Sequence, residues 1–264
     1  MDWLFDMLFA PILPSDEVIS WLFETYCWLL QEKGPQALSA TRLITPTDDN
    51  FPIRSTEGDP LGQEVFALVK QHAGMQDWPC RAELVEVKEN PIDKMGALIG
   101  HHSSSGAAGT FHISEAEQQA VIRFSSDQLE DVHSLIGTFA HELSHFYLSV
   151  VTTEPPGGRV AEEPATDITA IFLGFGIFIT NSAFKFEHTS GVSTSGFRTS
   201  QQGYLGEPTL AFALAIYSEL KQIPPKLVQR HLKTNPRAYH RHALKDIKRR
   251  WGAQMNALKA TAAR

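Results

Sequence analysis

Two histidines and a glutamate in the stretch Phe139-Ala140-His141-Glu142-Leu143-Ser144-His145 have the residue types and the spacing that a metal site needs. On a helix, residues four apart leave the same face, so the rings of His141 and His145 would point toward one ion. Glu142 lies about 100° round the helix from His141, close enough to hold a water on that ion and take its proton. The spacing therefore predicts one Zn²⁺ per chain, with Glu142 as a general base.

The residues around this motif predict an amphipathic helix. Apolar residues recur at intervals of three and four, and both histidines lie off the stripe that they form. The stripe consists of Val132, Leu135, Ile136, Phe139, Leu143, Phe146 and Val150. Two capping-box patterns precede it, Asp127 with Glu130 and Ser125 with Gln128, and prolines and glycines at 155–158 end it. We therefore expect the motif on a helix rather than in a loop.

A second acidic segment follows that turn. Residues 162–170 open with two glutamates and then Pro164, which a helix tolerates in its first turn. Glu163 and Asp167 are four residues apart, so one carboxylate could reach a metal while the other accepts the second ring N–H of a ligating histidine. Acidic residues also favour helix N-termini for electrostatic reasons, which is the alternative explanation of the same pattern.

The five residues together resemble a known family. The His-Glu-x-x-His motif at 141–145, followed by Glu163-x-x-x-Asp167, is similar to the gluzincin branch of the zincin metallopeptidases, and the resemblance covers roughly residues 105–180. It implies His141, His145 and Glu163 as zinc ligands, Glu142 as general base and Asp167 as the residue that orients a histidine ligand.

The resemblance implies further parts of a peptidase site. Minimal zincins have a small sheet before the metal helix, and one edge strand pairs with extended substrate. Gly109, Thr110 and Phe111 begin our candidate for that edge, which extends to residue 113. Gluzincins also commonly supply a tyrosine or histidine that stabilises the oxyanion, for which Tyr204 and His188 are the candidates. No motif chooses between those two.

Length and composition predict one large folded unit, because 264 residues with 42% hydrophobic residues can bury a substantial core. We expect an α+β fold: a mostly helical zincin-like core, a small β-sheet before the metal helix and a helical C-terminal extension. Three regions would make one compact unit. Residues 1–80 would form a helical segment that packs on the core, 81–187 the core, and 188–264 a flexible loop followed by a basic helical region.

Periodicity and turn signals place the remaining elements. Helices are predicted at 16–33, about 62–72, 208–221, 225–232 and 236–258, and strands at about 82–88, 110–113 and 120–124. Four prolines within residues 35–61 predict a long surface connection. The strongly apolar run 168–180 is shorter than the roughly 20 residues that span a bilayer, so we expect a core helix and no transmembrane span.

Cysteine content and charge bear on compartment and partners. Two cysteines make no disulfide framework, which favours a reducing, cytoplasmic location. Residues 221–264 have 12 basic residues against one acidic residue, a net charge of +11, whereas residues 1–220 have a net charge of −18. The basic region could bind nucleic acid, but it contains no recognised motif, so we favour packing or solvation over a nucleic-acid partner. The sequence leaves open whether a regulatory protein is also a partner.

Two functions of different classes fit these observations. The first is a zinc-dependent peptidase that hydrolyses a peptide or protein substrate with a metal-activated water. The second is a latent or non-catalytic zinc-binding domain that acts through a protein or nucleic-acid partner. Glu142 separates them, because a structural zinc needs no base between its ligands and usually has cysteine in its closed fourth position. The sequence therefore favours the enzyme.

Overall fold

The structure is a computed structural model that describes residues 13–85, 110–114, 119–190 and 205–263, without the side chains of 110–114 and 184–190. Helices dominate these ranges, and a three-stranded sheet accompanies them. The helices are α1 (Asp16–Lys33), α2 (Pro35–Ala40), α3 (Gly58–His72), α4 (Val132–Leu148), α5 (Glu162–Ala170), α6 (Gly176–Ser190), α7 (Glu207–Leu220), α8 (Pro225–Gln229), α9 (Thr234–Arg250) and α10 (Gly252–Ala262). This architecture confirms the expected α+β class.

The sheet precedes α4, the helix that carries the His-Glu-x-x-His motif, as the sequence predicts. Its strands are β1 (Cys80–Val85), β2 (Thr110–Ser114) and β3 (Gln119–Ser125), in the order β1-β3-β2. β1 runs parallel to β3, and β2 runs antiparallel to it. Residues 86–88, which we predicted as the end of the first strand, lie outside the described residues. β2 and β3 both contact α4, so the sheet supports one side of the helix that carries the motif.

Helix α4 begins at Val132, later than the predicted capping box at Ser125 would place it. Ser125 and Gln128 do form a capping box, but it opens a short 3₁₀ helix, Ser126–Glu130. The side chain of Asp131 then accepts a hydrogen bond from the backbone N–H of Ser134 at 3.1 Å and caps α4 itself. The two starts are separate because each has its own side-chain acceptor for the exposed N–H groups of a first turn.

The apolar run after α5 is not one straight helix. A π-helical segment, Ile171–Phe175, separates α5 from α6, and Gly174 within it has φ of 104°. Among the described residues the stretch Gly158–Ala183 is long and apolar enough to cross a membrane, but 94% of its most apolar window is buried inside the protein. Such burial is typical of a core helix, which passes the same test of length and composition.

The connection from 41 to 57 is partly buried rather than a surface loop. Ile44 and Phe51 belong to the core, and the backbone N–H of Ile44 donates to the carbonyl oxygen of Gly174 at 3.0 Å. This contact explains Gly174: a Cβ at this position would lie 2.1 Å from the carbonyl oxygen of Arg42. The expectation of a long surface connection was therefore wrong, since the segment packs against the π-helical break.

Helix α7 is the centre of the C-terminal half. Its residues from Leu210 to Ser218 are buried all round, and it contacts α1, α6, α9 and α10.

The predicted helix 236–258 is two helices instead, since α9 ends before Trp251 and α10 begins after it. Exposed cations on α9 include Arg237, Arg241 and Lys248. The three-region division of the chain stays a prediction.

We expect Gly174→Ala to destabilise the protein by about 3 kcal/mol, because the added Cβ meets backbone and φ of 104° is strained for any other residue. Chemical denaturation measures the loss. Gly252→Ala is the matched control, since a Cβ there has nothing within 4 Å. Equal stability of the two variants would contradict the packing described for the π-helical break.

Buried His240 should make stability fall with acid. Burial lowers the pKa of His240 from 6.5 to about 4, so the unfolded chain takes up a proton in that window before the folded one does. Between pH 7 and pH 5 this residue should cost about 2 kcal/mol of unfolding free energy. Denaturation of wild type and His240→Gln at both pH values measures it, and the variant should lose less stability on acidification. An equal loss in both proteins would show that His240 contributes nothing to this pH dependence.

Candidate metal centre

Helix α4 presents the motif from its C-terminal half. His141 and Glu142 are 4% and 5% exposed, whereas the side chain of His145 is 24% exposed. The opposite face of the helix packs through Leu135, Phe139 and Leu143, all fully buried. The apolar stripe thus anchors the helix in the core and leaves the two histidines to meet α5.

Three ligand atoms of the predicted set face one another. Nε2 of His141 lies 3.1 Å from Nε2 of His145, and Oε2 of Glu163 lies 3.3 Å and 3.5 Å from those two nitrogens. Ligands about 2.0–2.1 Å from a tetrahedral zinc are about 3.3 Å apart. His141, His145 and Glu163 therefore form a triangle of the size that one such ion requires.

Asp167 supports the first histidine. Its Oδ1 lies 2.9 Å from Nδ1 of His141, and its Oδ2 accepts a hydrogen bond from the backbone N–H of Leu205 at 3.3 Å. Only 5% of Asp167 is exposed. With its hydrogen on Nδ1, the His141 ring can bind a metal through Nε2, the nitrogen that faces Glu163 and His145, once Nε2 has lost its own hydrogen.

Thr166 supports the second histidine, and the motifs did not predict this. Its Oγ1 lies 3.3 Å from Nδ1 of His145 and 2.9 Å from the carbonyl oxygen of Glu162. Thr166 is 1% exposed and precedes Asp167 on α5. Its place in the sequence, four residues after Glu162, was the signal that could have found it, since a helical threonine commonly donates to the carbonyl four residues before it.

The cluster carries excess negative charge. Burial disfavours a charged His141 ring, but hydrogen bonds to Asp167 and Glu163 outweigh it and raise the pKa of His141 to about 10. Burial likewise opposes ionisation of Glu163, yet hydrogen bonds from both histidines hold the pKa of its carboxyl well below its usual range. Burial raises the pKa of Glu142, while both histidines pull it down. A metal ion would therefore replace a proton that this set of groups otherwise holds.

Helix α1 holds the connection between the two ligand-bearing helices. Trp21 Nε1 donates to the carbonyl oxygen of Pro156 at 2.7 Å, and Trp28 Nε1 donates to Oγ1 of Thr153 at 2.9 Å. Further along, Glu32 accepts from residues 152 and 153, and Lys33 donates to the carbonyl oxygen at 147. These bonds link α1 to the segment 147–156, so α1 restricts how α5, with Glu163, can move relative to α4.

The structure describes only some of the other residues that we predicted for the site. Among the strands that the structure describes, β2 lies at one edge, as predicted for the candidate substrate strand; Thr110 and Phe111 are in it and Gly109 lies outside the described residues. His188 is in the last turns of α6, but its side chain is not described. Tyr204 lies outside the described residues.

Comparisons with protein-family models, with curated proteins and with solved structures give no match to this chain. The chain is thus a mostly helical α+β protein with three residues, His141, His145 and Glu163, that could hold a metal ion.

We expect Trp21→Phe to weaken the site from a distance. The change leaves the carbonyl oxygen of Pro156 without its donor, which should cost about 1–2 kcal/mol of stability and loosen the connection that positions Glu163. Affinity for added Zn²⁺ should fall several-fold. Thermal unfolding and zinc titration measure the two effects.

Trp251→Phe is the matched control for Trp21→Phe. Trp251 is similarly buried, but its Nε1 has no hydrogen-bond partner in the described structure. This variant should keep the zinc affinity of wild type. If both tryptophan variants change zinc binding equally, the effect comes from general loss of packing and the role assigned to α1 is wrong.

Proposed function

We propose that this protein is a zinc-dependent metallopeptidase. One observation carries the proposal: Glu142, 5% exposed, lies on α4 between two histidines whose Nε2 atoms form, with Glu163, a triangle of zinc dimensions. A carboxylate at that place is what hydrolysis needs and what a purely structural ion does not. Zinc is the metal that suits two imidazoles and one carboxylate together with an open position.

The composition of the cluster supports a catalytic ion over a structural one. Closed structural zinc sites usually include cysteine, but Cys27 and Cys80 lie on α1 and β1 and neither joins the cluster. The side chain of Glu163 is 42% exposed and that of His145 is 24% exposed, whereas His141 is almost fully buried. One side of the triangle therefore faces solvent, where a water or a substrate carbonyl could approach.

The chain's own groups have distinct roles in the proposed reaction. A bound zinc would polarise the scissile carbonyl and acidify the attacking water. Glu142 takes the proton from that water as its oxygen bonds to the carbonyl carbon, and then delivers the proton to the amine as the carbon–nitrogen bond breaks. Asp167 keeps a hydrogen of His141 on Nδ1. The hydrogen bonds from α1 to the connection between α4 and α5 keep Glu163 beside α4.

We also propose that the substrate is an extended peptide segment. β2 is antiparallel to β3 and contacts α4, so a strand added along its outer edge would run near the helix that carries the motif. Backbone hydrogen bonds at such an edge bind peptides with little dependence on sequence. The non-catalytic alternative, a zinc-binding domain that acts through a partner, makes no use of this edge or of Glu142.

Metal analysis combined with peptide cleavage tests the proposal. Wild type and Glu142→Gln should each hold about one zinc per chain, and His145→Ala and Glu163→Ala should lose it. Glu142→Gln should cleave a peptide library at least 10²-fold more slowly than wild type, because the proton acceptor is gone while the ligands remain. His133→Ala, on the same helix but outside the cluster, should match wild type in both measurements.

The outcomes separate the two candidate functions. Wild type that takes up no zinc, even after metal is added back, would rule out the metal site. Zinc bound through His145 and Glu163, with no cleavage of any peptide in the library, would favour the domain that acts through a partner. Cleavage by Glu142→Gln at the wild-type rate would show that another group is the base.

A further inference from the structure

We propose that Thr166 is the positioning residue for the second histidine of the candidate metal centre: it holds a hydrogen of His145 on Nδ1, so that the ring binds the ion through Nε2. The inference rests on the metal site proposed above. It goes beyond that site because neither the His-Glu-x-x-His motif nor the Glu163/Asp167 pair includes a partner for His145.

The direction of the hydrogen bonds follows from the chemistry of the three groups. A threonine hydroxyl has one hydrogen, and the carbonyl oxygen of Glu162 can only accept. The 2.9 Å contact between Thr166 Oγ1 and that oxygen therefore uses the hydroxyl hydrogen. Oγ1 can then only accept from Nδ1 of His145, 3.3 Å away. The opposite tautomer would place the lone pair of Nδ1 against the lone pairs of Oγ1.

The position of Thr166 makes this arrangement rigid. Thr166 is 1% exposed on α5. Glu163, the proposed ligand, follows Glu162, and Asp167, the partner of His141, follows Thr166. One turn of α5 thus supplies a ligand, the partner of His141 and the partner of His145. The two histidines differ in support, since His141 bonds to a carboxylate and His145 to a neutral hydroxyl.

Zinc affinity of threonine variants tests the inference. Thr166→Val keeps the shape of the side chain but removes the acceptor, so zinc binding should weaken about 10–100-fold, as is typical when the partner of a histidine ligand is lost. Thr166→Ser restores a hydroxyl and should bind within a few-fold of wild type. Competition with a chromophoric chelator measures the affinities, and the visible spectrum of the Co²⁺-loaded proteins reports the ligand geometry.

Thr169→Val is the matched control on the same helix. Thr169 is fully buried, and its hydroxyl donates to the carbonyl oxygen of Ala165 at 2.8 Å, the same bond that Thr166 makes to Glu162, but it makes no hydrogen bond to a histidine within the described part of the chain. Thr169→Val should therefore keep wild-type zinc affinity and Co²⁺ spectrum. If it weakens zinc as much as Thr166→Val does, the effect comes from the helix and the inference is wrong.

Failure of the inference can be told from failure of the metal site. Zinc binding by wild type that is unchanged in Thr166→Val overturns the role of Thr166 alone, whereas wild type that binds no zinc overturns the proposed function. In the zinc-loaded protein, the ¹H and ¹⁵N chemical shifts of the Nδ1–H group of His145 report the acceptor of its hydrogen bond. These shifts should agree in wild type and Thr166→Ser and differ in Thr166→Val; equal shifts in all three proteins would also overturn the inference.

Discussion

The contact between His141 and Asp167, at 2.9 Å in an almost fully buried position, is the interaction on which the rest of the site depends. It is made where α4 packs against α5, so it fixes the distance between the helix with two ligands and the helix with the third. A buried carboxylate is tolerated only when it is paired, and a buried imidazole orients only when its second nitrogen is bonded. Each group therefore satisfies a requirement of the other.

Elements remote from the cluster keep this helix pair in place. Helix α1 bonds to the connection between α4 and α5, the sheet packs against α4, and the segment around Ile44 bonds to the carbonyl of Gly174 just beyond α5. Gly174 has no Cβ that would collide with the carbonyl oxygen of Arg42, so the chain can turn there. Helix α5 therefore ends beside the site, and α6 continues into the core. The geometry of the candidate metal centre thus depends on the whole helical packing rather than on a short motif.

Local patterns in the sequence were sufficient for part of this structure. The bounds of α1, with its Ser15 cap, agree residue for residue with those predicted, and the ligand spacing on α4 and α5 follows from helical periodicity. What periodicity could not show depends on contacts far apart in the chain. Trp21 lies 135 residues from Pro156, and burial of Ile44 depends on the break at Gly174. Nothing local marks such pairs, and a proline-rich segment therefore resembled a surface loop.

The balance of charge explains why these five residues belong together. Glu142, Glu163 and Asp167 are three carboxylates beside two imidazoles, and within the described residues the ion-pair partners of Glu163 and Asp167 are the histidines alone. No lysine or arginine of that part of the chain neutralises them. Glu142 and Asp167 are buried, where a negative charge is costly unless it is compensated; a proton on His141 compensates part of it, and a divalent cation would compensate more. An ion held between α4 and α5 would therefore lower the electrostatic cost of bringing these five residues together.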